Sequence, residues 1–255
     1  MSNTTETDKD ITLYWMPGCS SCLRMKEFVE NTGMPYTAIN VEAEPERATI
    51  LKERGLRVPA MQYGDVVVNG VHLKTVAATL GVEYEPPAML SPAELMAKYE
   101  IVNAALQRFI PQIPDEAKGF TLPDRDRDLF LLAAHAGCTM RYFVGKYEDE
   151  SFPGFFDDME PHTDSREELL AYAKETLEIA RTWWEQDGQY DPLDAVIQVY
   201  WGPRTLHEAL EREVWHAAQH CRQIMLMLER LGVEVDGPLT EDDLAGLPLP
   251  KRVFD

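Results

Sequence analysis

The stretch "ITLYWMPGCSSCLRMKEFVENTG", residues 11–33, carries the clearest fold signal in the chain. Its first five residues are rich in β-branched and aromatic side chains, which predicts a strand. From residue 20 onward the pattern predicts a helix that ends at Gly33, because glycine readily adopts the left-handed conformation that stops a helix. Cys19 and Cys22 therefore lie at a turn that leads from a strand into a helix.

This position of the two cysteines has a chemical consequence. Backbone N–H groups and the positive end of the helix dipole stabilise a thiolate at Cys19. Cys22 lies one turn further along and can attack a mixed disulfide formed at Cys19. The alternative is a structural or zinc-binding pair, but residues 11–80 contain no second cysteine pair. Four cysteines in 255 residues are too few for a disulfide scaffold, and the sequence favours a cytoplasmic redox protein.

Short elements continue to alternate after Gly33. The segment "MPYTAINVE" predicts a second strand, and "EPERATILKERG" predicts a helix that ends at Gly55. The segment "MQYGDVVVNG" predicts a hairpin, and "VHLKTVAATLG" predicts a last short helix. This order predicts an α/β domain over residues 10–81, with a small mixed sheet and helices packed over it.

The motif and its setting resemble the glutaredoxins and related small thioredoxin-fold proteins. That fold carries Cys-x-x-Cys at the first strand-to-helix turn and a cis-proline opposite it. The resemblance implies Cys19 as nucleophile, Cys22 as resolving thiol, and Pro59 as the cis-proline that flanks the substrate. Ser20 and Ser21 stand where glutaredoxins usually carry Pro-Tyr or Pro-Phe. The acidic pair with which glutaredoxins bind glutathione is missing from "NGVHLKTVAATLG".

Residues 82–90 contain two adjacent prolines and no periodicity, which predicts a linker. From residue 91 the pattern is helical, and serine or threonine N-caps with a glutamate three positions later mark several helix starts. Helices are predicted over residues 91–110, 124–148, 165–186 and 205–232. Four long helices predict an all-α four-helix bundle over residues 91–255, with an extended C-terminal tail.

Three histidines in this helical region form a candidate metal site. His216 and His220 lie four residues apart, so both imidazoles lie on one helix face and can reach one ion. His135 lies in the apolar helix "LFLLAAHAGCTMRYF", where a histidine needs a hydrogen-bond or metal partner. If the second and fourth helices face each other, three imidazoles meet and leave one coordination position open. The alternative is a core histidine bonded to a carbonyl or carboxylate oxygen.

A lone histidine on the second helix, with His-x-x-x-His and a nearby glutamine on the fourth, resembles the DinB-like metalloprotein superfamily over residues 90–235. The resemblance implies that His135, His216 and His220 bind a divalent metal. Three imidazoles with one open position favour zinc, and imidazole also suits nickel, iron or manganese. It also implies a low-molecular-weight thiol such as glutathione as cofactor, since the superfamily includes thiol-dependent S-transferases. Many relatives read His-Arg-Gly-Gln where this chain reads "HCRQ" from residue 220.

Four further side chains are predicted near the metal. Glu213 and Gln223 lie one turn beyond either end of the histidine pair, and Tyr142 shares an apolar face with His135. Cys138 lies one turn from His135. It could be a fourth ligand, an oxidisable thiol or a small core residue.

Charge and hydropathy restrict the partners. A formal net charge of −20 opposes binding to nucleic acids and to anionic membranes. The densest apolar run, "LFLLAAHAG", is too short for a membrane span, and the polar N-terminus does not have the pattern of a signal peptide. The expected partners are a small-molecule thiol and an electrophilic substrate, and bundles of this kind often form homodimers.

Together the motifs predict a fused enzyme. A Cys-x-x-Cys disulfide reductase would be joined to a three-histidine domain that activates a low-molecular-weight thiol for transfer to an organic electrophile. Fusion would raise the effective concentration of one site at the other. The alternative is a non-catalytic, redox-linked metal sensor or stress-response protein, in which oxidation of Cys19 and Cys22 changes metal binding.

Overall fold

The computed structural model describes residues 10–117, 119–122, 127–149, 151–152 and 159–254. The chain divides into two compact units. One unit extends to Pro87 and includes Pro250–Val253, and the other contains Ala88–Leu249 and Phe254. No helix in the described ranges is long and apolar enough to cross a lipid bilayer. The predicted helical residues 124–126 lie outside the described residues.

The first unit is a thioredoxin-like α/β domain, which confirms the predicted fold class for this part of the chain. Its four strands are β1 Ile11–Trp15, β2 Tyr36–Asn40, β3 Ala60–Tyr63 and β4 Val66–Asn69. The strand order in the sheet is β2-β1-β3-β4, with β1 parallel to β2 and the other pairs antiparallel. The helices are α1 Ser20–Thr32, α2 Thr49–Glu53 and α3 Leu73–Leu80.

Buried side chains pack on both faces of this sheet. Ile11 and Leu13 on β1 pack with Met25 and other residues of α1 and α3. Tyr14, the residue after Leu13 on β1, belongs to a second cluster that includes Leu51 of α2. Successive residues of a strand point to opposite faces, so β1 anchors helices on both sides. This packing fixes the start of α1, where the two cysteines lie.

Gly70 allows the backbone at this position to lie close to Met25 of α1 and to Pro59. A Cβ atom at this position would lie 2.1 Å from Met25 Sδ and 3.1 Å from Pro59 Cβ. Because Met25 is fully buried, Gly70→Ala must displace packed atoms, and we expect a loss of about 1–3 kcal/mol in the free energy of unfolding. Denaturant unfolding followed by tryptophan fluorescence would measure the loss. In a Met25→Ala background the same change should cost less, and an undiminished cost would contradict the explanation.

The second unit contains four long helices: α4 Pro92–Phe109, α5 Leu129–Glu148, α6 Arg166–Trp183 and α7 Leu206–Arg230. Capping boxes at Ser91 and Thr205 start α4 and α7, and the Ser165 hydroxyl caps α6. Helix α5 packs against α6 and α7, and α4 also packs against both. A short helix, α8 Glu241–Leu244, follows in the tail. The packing of α5 on α7 brings their inner faces together.

A hairpin that the sequence analysis did not predict precedes α7. Strands β5 Val196–Val199 and β6 Gly202–Thr205 pair in antiparallel register, with Val196 opposite Thr205. Thr205 ends the hairpin and is also the N-cap of α7. The hairpin turn contains Tyr200, whose hydroxyl contacts a buried side chain of α7.

Candidate functional site

The cysteine pair lies at the N-terminus of α1. Cys19 is the N-cap residue and forms a disulfide with Cys22. The backbone N–H of Cys22 donates to Cys19 Sγ at 3.1 Å. Cys22 is fully buried, whereas Cys19 is half-buried. Cys19 therefore carries the more accessible sulfur, next to the positive end of a 13-residue helix.

Pro59 lies near the same end of the sheet. The Val58–Pro59 peptide bond is cis. Ala60 is opposite Tyr14 in the β1–β3 register, so Pro59 lies beside the C-terminal end of β1. The chain leaves β1 at that end and reaches Cys19 four residues after Trp15.

The second unit brings the three predicted histidines together. His135 comes from α5, and His216 and His220 come from α7. Their ring centres lie 4.5–5.0 Å apart, and the Nε2 atoms of His135 and His216 are 3.4 Å apart. All three side chains are buried. One donor atom from each lies within 4.8 Å of the other two, so the group could hold a metal ion.

The Nδ1 atom of each imidazole faces an oxygen acceptor on a neighbouring side chain. The pairs are His220 with Gln223 Oε1 at 2.7 Å, His216 with Glu213 Oε2 at 3.4 Å, and His135 with Glu160 Oε1. Since amide and carboxylate oxygens accept, Nδ1 is the protonated nitrogen in each ring. The Nε2 atom of each ring is then the nitrogen that carries the lone pair.

Burial, together with nearby positive charges, keeps the imidazoles neutral. Burial lowers the pKa of each histidine well below its ordinary value. The guanidinium groups of Arg127 and Arg212 lower these pKa values further. Neutral imidazole is the form that binds metal, so the cluster is a competent ligand set at neutral pH.

Two observations show that the donor atoms fit a divalent cation. His220 Nε2 is buried and has no hydrogen-bond partner among the described residues. The Nε2 atoms of His135 and His216 are 3.4 Å apart. Two nitrogens bound at roughly 2.0–2.1 Å to one tetrahedral ion are about 3.4 Å apart. A cation between the rings could therefore be bound by the three histidines.

The two remaining predicted pocket residues lie nearby. Cys138 is buried, donates to the carbonyl of His135 at 3.2 Å, and forms a second donor group with His135 and Glu160. Burial raises the pKa of its thiol well above the ordinary value, so it stays protonated. The buried Tyr142 ring lies 6.4 Å from the ring of Tyr200, and burial also raises its pKa.

Sequence reasoning missed three residues of this site. Glu160 lies between α5 and α6, outside the helices and strands, where no sequence periodicity pointed to it. Tyr200 belongs to the hairpin that was not predicted. Arg212 had a usable signal, since it precedes His216 by four residues on α7. Its guanidinium donates to Tyr200 Oη at 2.7 Å and to Glu213 Oε2 at 3.3 Å.

The contact between Glu160 and His135 leads to a prediction about metal affinity. Glu160→Leu removes the acceptor that fixes the His135 tautomer, and we expect metal to bind about 10–100-fold more weakly. Glu160→Gln keeps a carbonyl oxygen at the same place and should lose less. Competition with a chromogenic chelator would measure both affinities. Equal affinities for Glu160→Leu and the unaltered protein would show that this acceptor does not orient the ring.

Comparison with known proteins identifies relatives of the first unit. The glutaredoxin family model matches residues 11–73. The glutaredoxin-like protein NrdH of Escherichia coli strain K12 is 36% identical over 61 residues, which cover 24% of this chain and 75% of the relative. The same protein from Shigella flexneri gives the same values. The family match ends before the helical unit begins, so its DinB-like character stays a prediction.

A solved structure aligns with more of the chain but weakly. The crystal structure of a glutathione transferase homologue from Sulfitobacter, with bound glutathione, covers 87% of this chain and 92% of its own. The sequence identity is 18% and the TM-score is 0.31. A score this low does not establish a shared fold.

Proposed function

The chain belongs to the glutaredoxin family through its first unit, and from this we propose that the protein is a fused thiol enzyme. Cys19 and Cys22 reduce disulfides. The helical unit, a DinB-like four-helix bundle, binds a divalent metal, zinc in the first place, through His135, His216 and His220. It activates a low-molecular-weight thiol for transfer to an organic electrophile. The meeting of three neutral imidazoles, on a chain that also carries the cysteine pair, supports the proposal.

The redox step uses the accessible sulfur of Cys19. Its thiolate attacks a substrate disulfide, whose S–S bond breaks and releases one thiol. Cys22 then attacks Cys19 Sγ in the mixed disulfide and releases the second thiol, which leaves the Cys19–Cys22 disulfide. The substrate gains two electrons and the cysteine pair loses two. A thiol reductant must return them before the next cycle.

The helical unit contributes an oriented ligand set. A bound divalent cation would act as a Lewis acid and lower the pKa of a thiol at the remaining coordination position. Glu160, Glu213 and Gln223 hold the Nδ1 protons, so the Nε2 atoms of the three histidines are available as ligands. The three rings are buried, which strengthens electrostatic interactions at the cluster.

The transfer step balances without a further reactant. The thiolate sulfur forms a bond to an electrophilic carbon. In a substitution this carbon releases a leaving group with its electron pair, and the proton that the thiol lost balances the leaving group. In an addition to an activated double bond, the neighbouring carbon takes up that proton. The chain therefore consumes one thiol for each conjugate formed.

Metal removal separates the two activities. The purified full chain would be assayed for reduction of a small disulfide and for conjugation of a panel of thiols to a chromogenic electrophile. A chelator should abolish conjugation and leave disulfide reduction intact, and zinc should restore conjugation. A protein with neither turnover, whose metal affinity changes when Cys19 and Cys22 oxidise, would instead be the redox-linked sensor.

A further inference from the structure

A buried guanidinium lies beside the three-histidine cluster. Arg212 is 4% exposed, and the Glu213 oxygen to which it donates also faces His216 Nδ1. Its other contact is the Tyr200 hydroxyl at 2.7 Å, supplied by the hairpin before α7. The arginine is thus linked to the cluster through one shared carboxylate.

The hydrogen-bonding capacity of Arg212 is not fully used. Its Nε–H is buried and has no partner among the residues that the structure describes. The contact with Glu213 is 3.3 Å, longer than a strong charge-assisted hydrogen bond. The Trp215 ring lies 5.0 Å from Arg212 Cζ and fixes one side of the guanidinium plane. A spare buried donor on a charged group is costly unless an acceptor meets it.

Two carboxylates border the cluster together with the two guanidinium groups. Glu160 faces His135 Nδ1, and Glu213 faces His216 Nδ1. Glu213 accepts from Nη1 of Arg212, so a further anionic ligand would meet the Nε–H, which has no partner among the described residues.

We infer that Arg212 binds a carboxylate of the small molecule that enters the three-histidine site, through its spare Nε–H. The inference rests on the proposed function of that site and narrows its ligands to carboxylate-bearing thiols or electrophiles. Nε–H and Nη2 lie on one edge of the guanidinium, which suits the two oxygens of a carboxylate. Tyr200 accepts from Nη2 and holds that edge in place, while Glu213 accepts from Nη1 on the other edge.

Matched ligand pairs test the inference on the zinc-loaded full chain by titration calorimetry. The first pair is 3-mercaptopropionate and 3-mercaptopropanamide, and the second, which lacks sulfur, is succinate and succinamide. Tighter binding of the acid in the first pair indicates that the recognised carboxylate belongs to the thiol. Tighter binding of the acid in the second pair alone indicates that it belongs to the electrophile. The acid of the recognised pair should bind about 10–100-fold more tightly than the amide.

Arg212→Gln should remove that preference, so that the acid and the amide bind this variant with equal affinity. Arg181→Gln, which removes a positive charge from an exposed site on α6, is the matched control and should keep the preference. Metal content and thermal unfolding of each variant report whether the site is intact. If Arg212→Gln does not fold, the acid and the amide are compared on the unaltered protein and on Arg212→Lys. This comparison still tests whether Arg212 binds the carboxylate.

The two proposals fail in different ways. In one outcome thiols bind, but neither pair shows tighter binding of the acid. This result would overturn the role of Arg212 and leave the metal-dependent function standing. If no thiol binds but succinate is preferred over succinamide and Arg212→Gln removes this preference, the arginine site stands and the thiol function fails.

Discussion

His216→Ala should leave the protein with almost no bound divalent metal. The change removes one of three Nε2 donors, and the two remaining histidines hold a cation at least about 100-fold more weakly. Metal per chain would be measured by elemental analysis after dialysis against a weak chelator. The unaltered protein should retain about one ion under conditions in which the variant retains little.

His207→Ala is the control on the same helix. His207 lies in the first turn of α7, where its Nε2 contacts the carbonyl of Leu90 at 2.8 Å, away from the cluster. Its removal should not change the metal content. Equal metal in the His216→Ala variant and the unaltered protein would refute the three-histidine site, and equal loss in both variants would indicate unfolding.

Cys19→Ser should lower disulfide reductase activity by at least about a thousandfold, because it removes the nucleophile. Cys22→Ser should instead accumulate a mixed disulfide at Cys19, since no second thiol resolves it. A coupled assay would measure the first effect. Intact mass spectrometry would detect the added mass of the half-substrate in the second.

Cys221→Ala is the matched control for loss of a thiol. Cys221 is buried on α7 and lies outside the cysteine pair. Reductase activity that survives Cys19→Ser but falls in Cys221→Ala would contradict the assignment of the nucleophile. The Cys19→Ser variant should also keep its metal, which would show that the two activities have separate sites.

Local signals in the sequence were sufficient for most of the fold. Ser91, Ser165 and Thr205 mark helix starts because their hydroxyls satisfy backbone N–H groups that any helix leaves open. Gly33 marks the end of α1 through its left-handed conformation, with φ of 72°. Such signals act within a few residues, so a sequence displays them directly.

The hairpin before α7 was missed although "VIQVYWGPRT" carries β-branched and aromatic residues. It is short, and a proline interrupts its second strand. The helix predicted over residues 44–55 was too long, since α2 covers only Thr49–Glu53. Both errors concern short elements, in which tertiary contacts outweigh local propensity.

The site shows the same division between local and tertiary information. The contact of Gln223 with His220 follows from their spacing on one helix. The contact of Glu160 with His135 spans 25 residues, and Glu160 lies outside the helices, so no periodicity could reveal it. The spare donor of Arg212 is visible only when the contacts of its whole guanidinium are known.

The separation of the histidines along the chain has a thermodynamic consequence. His135 and His216 are 81 residues apart, and their nitrogens converge only when α5 is docked on α7. Binding of an ion by the three histidines would therefore stabilise the native state. The midpoint of thermal unfolding would rise with the concentration of free ion. At a thousand times the dissociation constant the gain would be about 4 kcal/mol. Loss of the ion would then lower the resistance of the helical unit to heat and to proteolysis.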